Sequence, residues 1–366
     1  MASWKILALY IARQFFFWCL SVFTAMTTIV FLLDYIELIR RGGTHPNATL
    51  LILLKMALLK QPFMAQQIMP FAILFGAMIA FWRMTRSNEL IVARAAGVSV
   101  WQFLAPAVMV ALLVGVFAVT VFNPIASVMQ TSYEKLEASV MRESNDQMTL
   151  SRAGLWLRQS DKQGTPSVIH AERLSQGTGI TLEDVLILFF DKGDHLTARI
   201  DARRATLRDG YWDVNDGTRW EPTKVAEPFS EIRVETNMRP HDIEESFATP
   251  ESMSFWELPG FISLLERSGF STQRHRLYYN ALLARPFLLA AMVLIAAPFS
   301  LRMHRRGGVP LMIASGIASG FVLYLFSNVV FALGLSATIP VNLAAWTPAG
   351  VSLLTGATLL LHLEDG

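Results

Sequence analysis

"RSNELIVARAAGVS", Arg86 to Ser99, is a short, Ala-rich segment with Glu89 set between Arg86 and Arg94. Directly before it runs "LLILLKMALLKQPFMAQQIMPFAILFGAMIAFW", Leu50–Trp82, and directly after it an apolar run from Val100 to Asn123. A bilayer core of about 30 Å needs about 20 apolar helical residues, and both flanks are that long. The segment therefore connects two membrane spans. Working outward from it, four more runs qualify: Ile6–Leu33, Leu277–Ser300, Val309–Leu335 and Val341–Leu363. Six spans put both termini on one side. Arg83, Arg86 and Arg94 around the connector share a face with Lys5, Arg13, Arg302, Arg305 and Arg306, whereas the opposite short loops offer Arg40 and Arg41. By the rule that basic short loops stay inside, the connector and both termini are cytoplasmic.

Composition agrees. The chain of 366 residues is 53% hydrophobic and 16% charged, against about 25% charged in an ordinary soluble domain. A net charge of +2 gives no argument for nucleic acid. The single cysteine, Cys19, lies in an apolar run, so an intrachain disulfide framework is excluded. The first apolar run is far longer than the roughly 7–15 residues of a signal-peptide core and has no A-x-A-like site, so it is expected to be a retained span.

Between spans three and four lies a polar insert, Pro124 to Arg276, placed outside the cytoplasm by the same topology. Its start, "SVMQTSYEKLEASVMRES", has helical spacing and is expected to prolong span three. "DVLILFF" reads as a strand ending at an Asp-Lys-Gly turn, and "ARIDARRATLRDGYWDV" as a hairpin about Asp209-Gly210. Trp212 and Val214 would then share one face, with Tyr211 and Asp213 on the other. Near the end of the insert, Ser254 and Glu257 have the spacing of a capping box. They precede an apolar stripe of Phe255, Leu258, Phe261, Ile262 and Leu265. The expected organisation is residues 1–124 with three spans and the connector at 86–99, residues 125–275 as a β-domain with flanking helices, and residues 276–366 with three spans.

The cations near the outer ends of the spans admit two readings. Lys55 and Lys60 on span two either snorkel to the headgroups or face a cavity, which Pro62 and Pro70 would border. Arg285 precedes Ser300 by 15 residues, about 22 Å along a helix, and so falls within the outer leaflet. With Arg40, Arg41, Arg274 and Arg276 at a similar level, these residues make a candidate basic rim for an anionic amphiphile, since Arg grips phosphate through a bidentate fork and Lys as a point charge. The alternative is interfacial anchoring. Asp34 and Glu37 are placed to neutralise Arg40 and Arg41 in part, Glu37 and Arg41 being an i,i+4 match.

Other chemistry is absent from the sequence. There is no G-x-x-x-x-G-K-[ST] phosphate loop, no H-E-x-x-H and no Cys/His cluster, so no cofactor or metal is expected on this chain. Gly316 and Gly320 form a GxxxG, a helix-packing motif. Ser319 beside them does not make an intramembrane protease: Ile317 breaks the stricter Gly-x-Ser-Gly, and His304 and His362 lie at the cytoplasmic face rather than mid-span. The Asn47-Ala48-Thr49 sequon abuts span two and is discounted.

The connector itself reads as a short helix. Ser87 is the expected N-cap, Glu89 sits favourably in the first turn, and Gly97 is the stop. Leu90, Ile91, Ala95 and Val98 form one face, with Ala93 and Ala96 small enough for another surface to approach. Either it lies on the lipid, or a cytoplasmic partner grips it, with Glu89 and Arg94 as polar handles.

"TRSNELIVARAAGVSVWQFLAPA" resembles the connector between the second and third spans of the lipopolysaccharide-export permeases, the LptF/LptG family. "MSFWELPGFISLLERSG…LYYNALLARPFLLAAMVLIAAPFS" resembles that family's approach to and passage through span four, and "IPVNLAAWTPAG" leans toward the LptG type. The likeness covers essentially the whole chain. It implies an α-helical membrane protein of six spans with an extracytoplasmic, jellyroll-like all-β domain between spans three and four, in the bacterial inner membrane. It implies pairing with an LptF-like paralogous permease, an LptB-like ATPase dimer that uses ATP and Mg, an LptC-like single-span protein, a periplasmic bridge protein, and lipopolysaccharide as cargo. Glu89 matches the family's acidic coupling-helix residue. Arg40 and Arg41 match in character the basic residues that contact lipid at the outer end of span one, whereas Asp34 departs from that more basic pattern. Two other classes fit the bare topology: a transmembrane sensor or scaffold with a ligand-binding β-domain, and an ion-coupled secondary transporter.

Overall fold

A computed structural model of the full chain describes all residues except 1, 43–47, 142–146, 152–153, 161–165, 177–179, 192–194, 209, 223–224, 237–248, 268–270, 302–308 and 366. Among the described residues six helices are long and apolar enough to cross a membrane. α1 is Ala2–Gly42 and α2 is Leu50–Arg86; the connector is α3, Glu89–Ala95. α4, Val100–Phe117, continues through a π-helical turn at Ala118–Phe122 into α5, Asn123–Met141, so span three is prolonged as its spacing predicts. After the insert come α6 (Leu258–Arg267), α7 (Gln273–Leu301), α8 (Val309–Leu335) and α9 (Val341–Asp365).

The first unit comprises residues 1–141, 251–258 and 273–366. Its centre is α7, where Leu289, Ala290, Ala291, Met292, Val293, Ala296 and Ala297 are all buried. A helix covered on every side needs no polar face and shows no amphipathic stripe. α2, α4 and α9 pack on it. Gly115 is what lets α4 approach: a Cβ there would collide with the backbone Cα of Pro286. Phe15 of α1 stacks on Phe81 of α2 at 6.3 Å between ring centroids, in a core shared with Ile11, Met78, Leu104 and Met292. Gly316 and Gly320 of α8 turn toward α2, where added Cβ atoms would meet Met78 Sδ at 2.5 Å and Leu74 and Phe71 at 3.3 Å. The GxxxG thus packs one span of this chain on another. α1 and α8 leave large apolar faces uncovered, including Leu9, Phe16 and Leu33 on the former and Ile317, Phe321 and Val322 on the latter.

The second unit, residues 142–250 and 259–272, holds, among the described residues, one antiparallel sheet of seven strands. They are β1 Gln147–Ser151, β2 Gly154–Ser160, β3 Pro166–Gln176, β4 Ile180–Phe190, β5 Leu196–Arg208, β6 Tyr211–Trp220 and β7 Glu227–Glu235. Each strand pairs with its neighbours in sequence, so the all-β insert has the connectivity of a meander. The β5–β6 hairpin closes as Asp209-Gly210 predicts, with Arg208 opposite Tyr211 and Gly210 at φ +83°; Asp209 itself lies outside the described residues, as do Lys192 and Gly193 of the other expected turn. Trp212 and Val214 face inward, packed with Leu157, Ile187, Ile200 and, from α6, Leu265. The buried Trp212 indole donates to Gln159 Oε1 at 3.0 Å, and Thr236 Oγ1 donates to the same oxygen at 2.6 Å.

A crease crosses this sheet. Pairing lapses at Asp184, Arg203 and Asp216, which stand side by side on β4, β5 and β6, while the register on either side is unchanged. Asp184 and Asp216 have positive φ, 55° and 54°. On β5 the inward residues accordingly change from Ala198, Ile200 and Ala202 to Ala205 and Leu207, with Arg203 and Arg204 exposed between them.

Candidate functional site

The connector is a rigidly set short helix rather than a loose strap. α2 ends at Ser87, whose N–H donates to the Arg83 carbonyl at 2.9 Å. Asn88 then takes the left-handed conformation, φ +62°, which an Asn tolerates better than most residues. It stands in the N-cap position and makes no side-chain cap, so the expectation of Ser87 as N-cap is corrected. Ser87 instead closes α2, and its hydroxyl donates to Glu89 Oε1 at 2.8 Å. The helix ends at Gly97, φ +85°. Ser99 and Gln102 then form a reciprocal capping box that starts α4.

Glu89 is held from a second direction. Tyr10 Oη, on α1, donates to the same Oε1 at 3.2 Å, so one carboxylate ties the connector to the first span. Leu90 and Ala93 are buried against the core that contains Ile11 and Phe15. Ala93 and Leu90 are therefore the inward stripe, and Ala95, expected on one face with Leu90, is exposed. Val92, Arg94, Ala95, Ala96 and Gly97 are left on the surface. Arg86 lies over the Trp82 ring at 5.4 Å and Arg83 over that of Trp18 at 5.5 Å. The result is a small polar and basic surface on an apolar anchor. Among the described residues no cluster of metal-ligating side chains occurs.

The candidate basic rim is not one continuous set. Arg40 and Arg41 are exposed and share Glu37, at 2.8 and 2.6 Å. Asp34 does not neutralise that pair as expected: it accepts from Lys60 Nζ at 2.6 Å, across from α1 to α2, with both side chains mostly covered. Lys60 also lies 5.6 Å from the Tyr133 ring centroid. Its ammonium is thus answered within the chain, by a carboxylate on the neighbouring span and the face of an aromatic ring. Lys55 is exposed. Arg274 reaches Glu251 at 3.4 Å, and Arg276 is exposed with a partner of its own. Arg285 turns into the bundle and donates to Gln66 Oε1 at 2.7 Å, so it does not belong to an exposed rim. Sequence reasoning missed Tyr10, and with it the contacts by which Tyr10 and Ser87 fix Glu89 and Gln66 meets Arg285. Each is a contact distant in sequence or around a turn, for which no local pattern exists.

Comparison with known proteins adds to this geometry. The model of the family "Lipopolysaccharide export system permease LptF/LptG" matches residues 9–362. The chain is 21% identical over 369 aligned positions, covering 99% of each chain, to the lipopolysaccharide export system permease protein LptG of Escherichia coli strain K12. It is 22% identical over 285 positions to the protein of the same name from Haemophilus influenzae, covering 76% of this chain and 77% of that one.

Proposed function

Since the chain belongs to the LptF/LptG family of lipopolysaccharide export permeases, we propose that it is the LptG-type subunit of an ATP-driven exporter in the inner membrane. In this reading both termini and the α3 connector are cytoplasmic and the β-domain is periplasmic. An LptB-like ATPase dimer, which binds the ATP and Mg, docks on α3. An LptF-like permease pairs along the uncovered apolar faces of α1 and α8, an LptC-like single-span protein joins the assembly, and a periplasmic bridge receives the cargo. This chain does no covalent chemistry.

The observation that carries the reading is the placement of Glu89. A partner that grips the surface of α3 pulls on a carboxylate already bonded to Tyr10 of α1, and on Leu90 and Ala93 set into the bundle core. Motion of the ATPase then reaches the spans through short, packed contacts. Squeezing the cavity between the two permeases would drive the glycolipid toward the β-domain, with Arg40, Arg41 and Lys55 meeting its anionic headgroup.

The lipid contact has a direct test. Arg40, Arg41 and Lys55 against Glu37 give a local charge of 3 − 1 = +2, and replacing all three cations by Ala leaves −1. At about 1 kcal/mol per surface cation near an anionic layer, photocrosslinking of lipopolysaccharide to the outer end of α1 is expected to fall about tenfold or more. Unchanged crosslinking removes these residues from the lipid path.

A further inference from the structure

Arg285 sits on α7 inside a membrane span, part-buried, and its one hydrogen-bond acceptor among the described residues is the side-chain oxygen of Gln66. No carboxylate of the described residues pairs with it. A guanidinium carries five N–H donors in a fixed fork, and a cation at membrane depth is unfavourable unless something answers it. Gln66 is in the same position. It is 2% exposed, its oxygen is taken by Arg285, and its Nε2 is buried without an acceptor. Two adjoining side chains thus present donors that the described residues do not satisfy.

Both line a cavity of about 420 Å³ between α2, α7 and α8, with Gln67, Tyr278, Ser327 and Asn328 as further polar lining. The carboxylate at that cavity, Glu251, is engaged by Arg274 at 3.4 Å. A smaller cavity of about 160 Å³ toward α9 shares Arg285, Gln66, Gln67 and Ser327. One uncompensated cation ringed by amides and hydroxyls is the donor set for an oxyanion. The planar fork of Arg matches two oxygens at once, and the neutral groups can meet the rest.

We propose that this cavity is an intramembrane binding site for a phosphate group, carried on a lipid headgroup or free in solution. The site stands on Arg285 and Gln66. It rests on the export reading only for the expectation that a phosphate-bearing lipid reaches the spans.

The purified full chain in a phosphorus-free maltoside detergent is titrated separately with dimyristoyl phosphatidic acid, dimyristoyl phosphatidylcholine and inorganic phosphate, following the ³¹P resonances. Saturable broadening of the phosphatidic acid line is expected, weakened about tenfold or more by Arg285→Gln, and less by Arg285→Lys and Asn328→Ala. If inorganic phosphate saturates equally well and displaces phosphatidic acid, free phosphate is the ligand; if it does neither, the lipid headgroup is. Absence of saturable binding by either overturns the proposal, as does equal binding by all the variants. Should Arg285→Gln fail to fold, Asn328→Ala and Gln67→Leu decide: wild-type binding in both overturns the site. Lipid export is measured on the same wild-type preparation with its partners. Arg285-dependent phosphate binding without export leaves this site standing and removes the export reading, and export without phosphate binding does the reverse.

Discussion

Replacing Glu89 with Arg is expected to strip the ATPase from the purified assembly and to bring lipopolysaccharide transport to background. The substitution inverts the charge at the start of α3 and deletes the acceptor that Tyr10 and Ser87 share. Loss of a desolvated charge contact at an interface costs about 2–5 kcal/mol, roughly a 30-fold to several-thousand-fold weakening of the docking equilibrium. Two companions separate the causes. Glu89→Gln keeps an oxygen for Tyr10 and Ser87 and removes only the charge; it is expected to lose most of the docking while leaving the bundle as stable as before. Tyr10→Phe keeps the charge and removes one 3.2 Å hydrogen bond; the ATPase should remain bound, with transport reduced relative to ATP hydrolysis. Wild-type copurification and transport for Glu89→Arg would place the ATPase contact elsewhere.

Gly115→Leu is expected to be the most damaging single change in the helical bundle. The new side chain must displace the backbone of Pro286, not a flexible side chain, and Pro286 belongs to the buried stretch of α7 on which α2, α4 and α9 pack. Overpacking a well-packed core costs about 1–3 kcal/mol, and a clash with backbone puts this substitution at the upper end of that range, a large share of a typical folding free energy of about 5–15 kcal/mol. Thermal unfolding in detergent should shift sharply down and the folded yield should fall. Gly350→Leu serves as the control, since nothing lies within 4 Å of a Cβ there, and it should unfold like the wild type. Equal stability of the two variants would mean that α4 and α7 do not cross at Gly115.

The spans were legible because length and hydropathy are local properties, and the structure returns six helices over the same stretches. The β5–β6 hairpin and the Ser254/Glu257 capping box, with bonds of 3.2 and 3.3 Å, were legible for the same reason: each depends on residues within one turn. The electrostatics were not. Axial position placed the cations at similar heights, but only packing shows which way each side chain points around its helix. Lys60 finds Asp34 on another span, Arg285 finds Gln66 at a separation of 219 residues, and Tyr10 finds Glu89 at 79. The crease through Asp184, Arg203 and Asp216 was equally hidden, because positive φ at an Asp leaves no mark in an alternating pattern.

The most direct measurement uses sealed vesicles that hold this chain with the LptF-like permease proposed to pair with it, loaded with labelled lipopolysaccharide and presented with a soluble periplasmic acceptor. Labelled lipid reaching the acceptor is followed with and without the ATPase dimer and MgATP. Transfer is expected only when both are supplied, and is expected to stop when Glu89→Arg replaces the wild-type chain. Transfer at the same rate in vesicles lacking the ATPase would contradict the account at its centre.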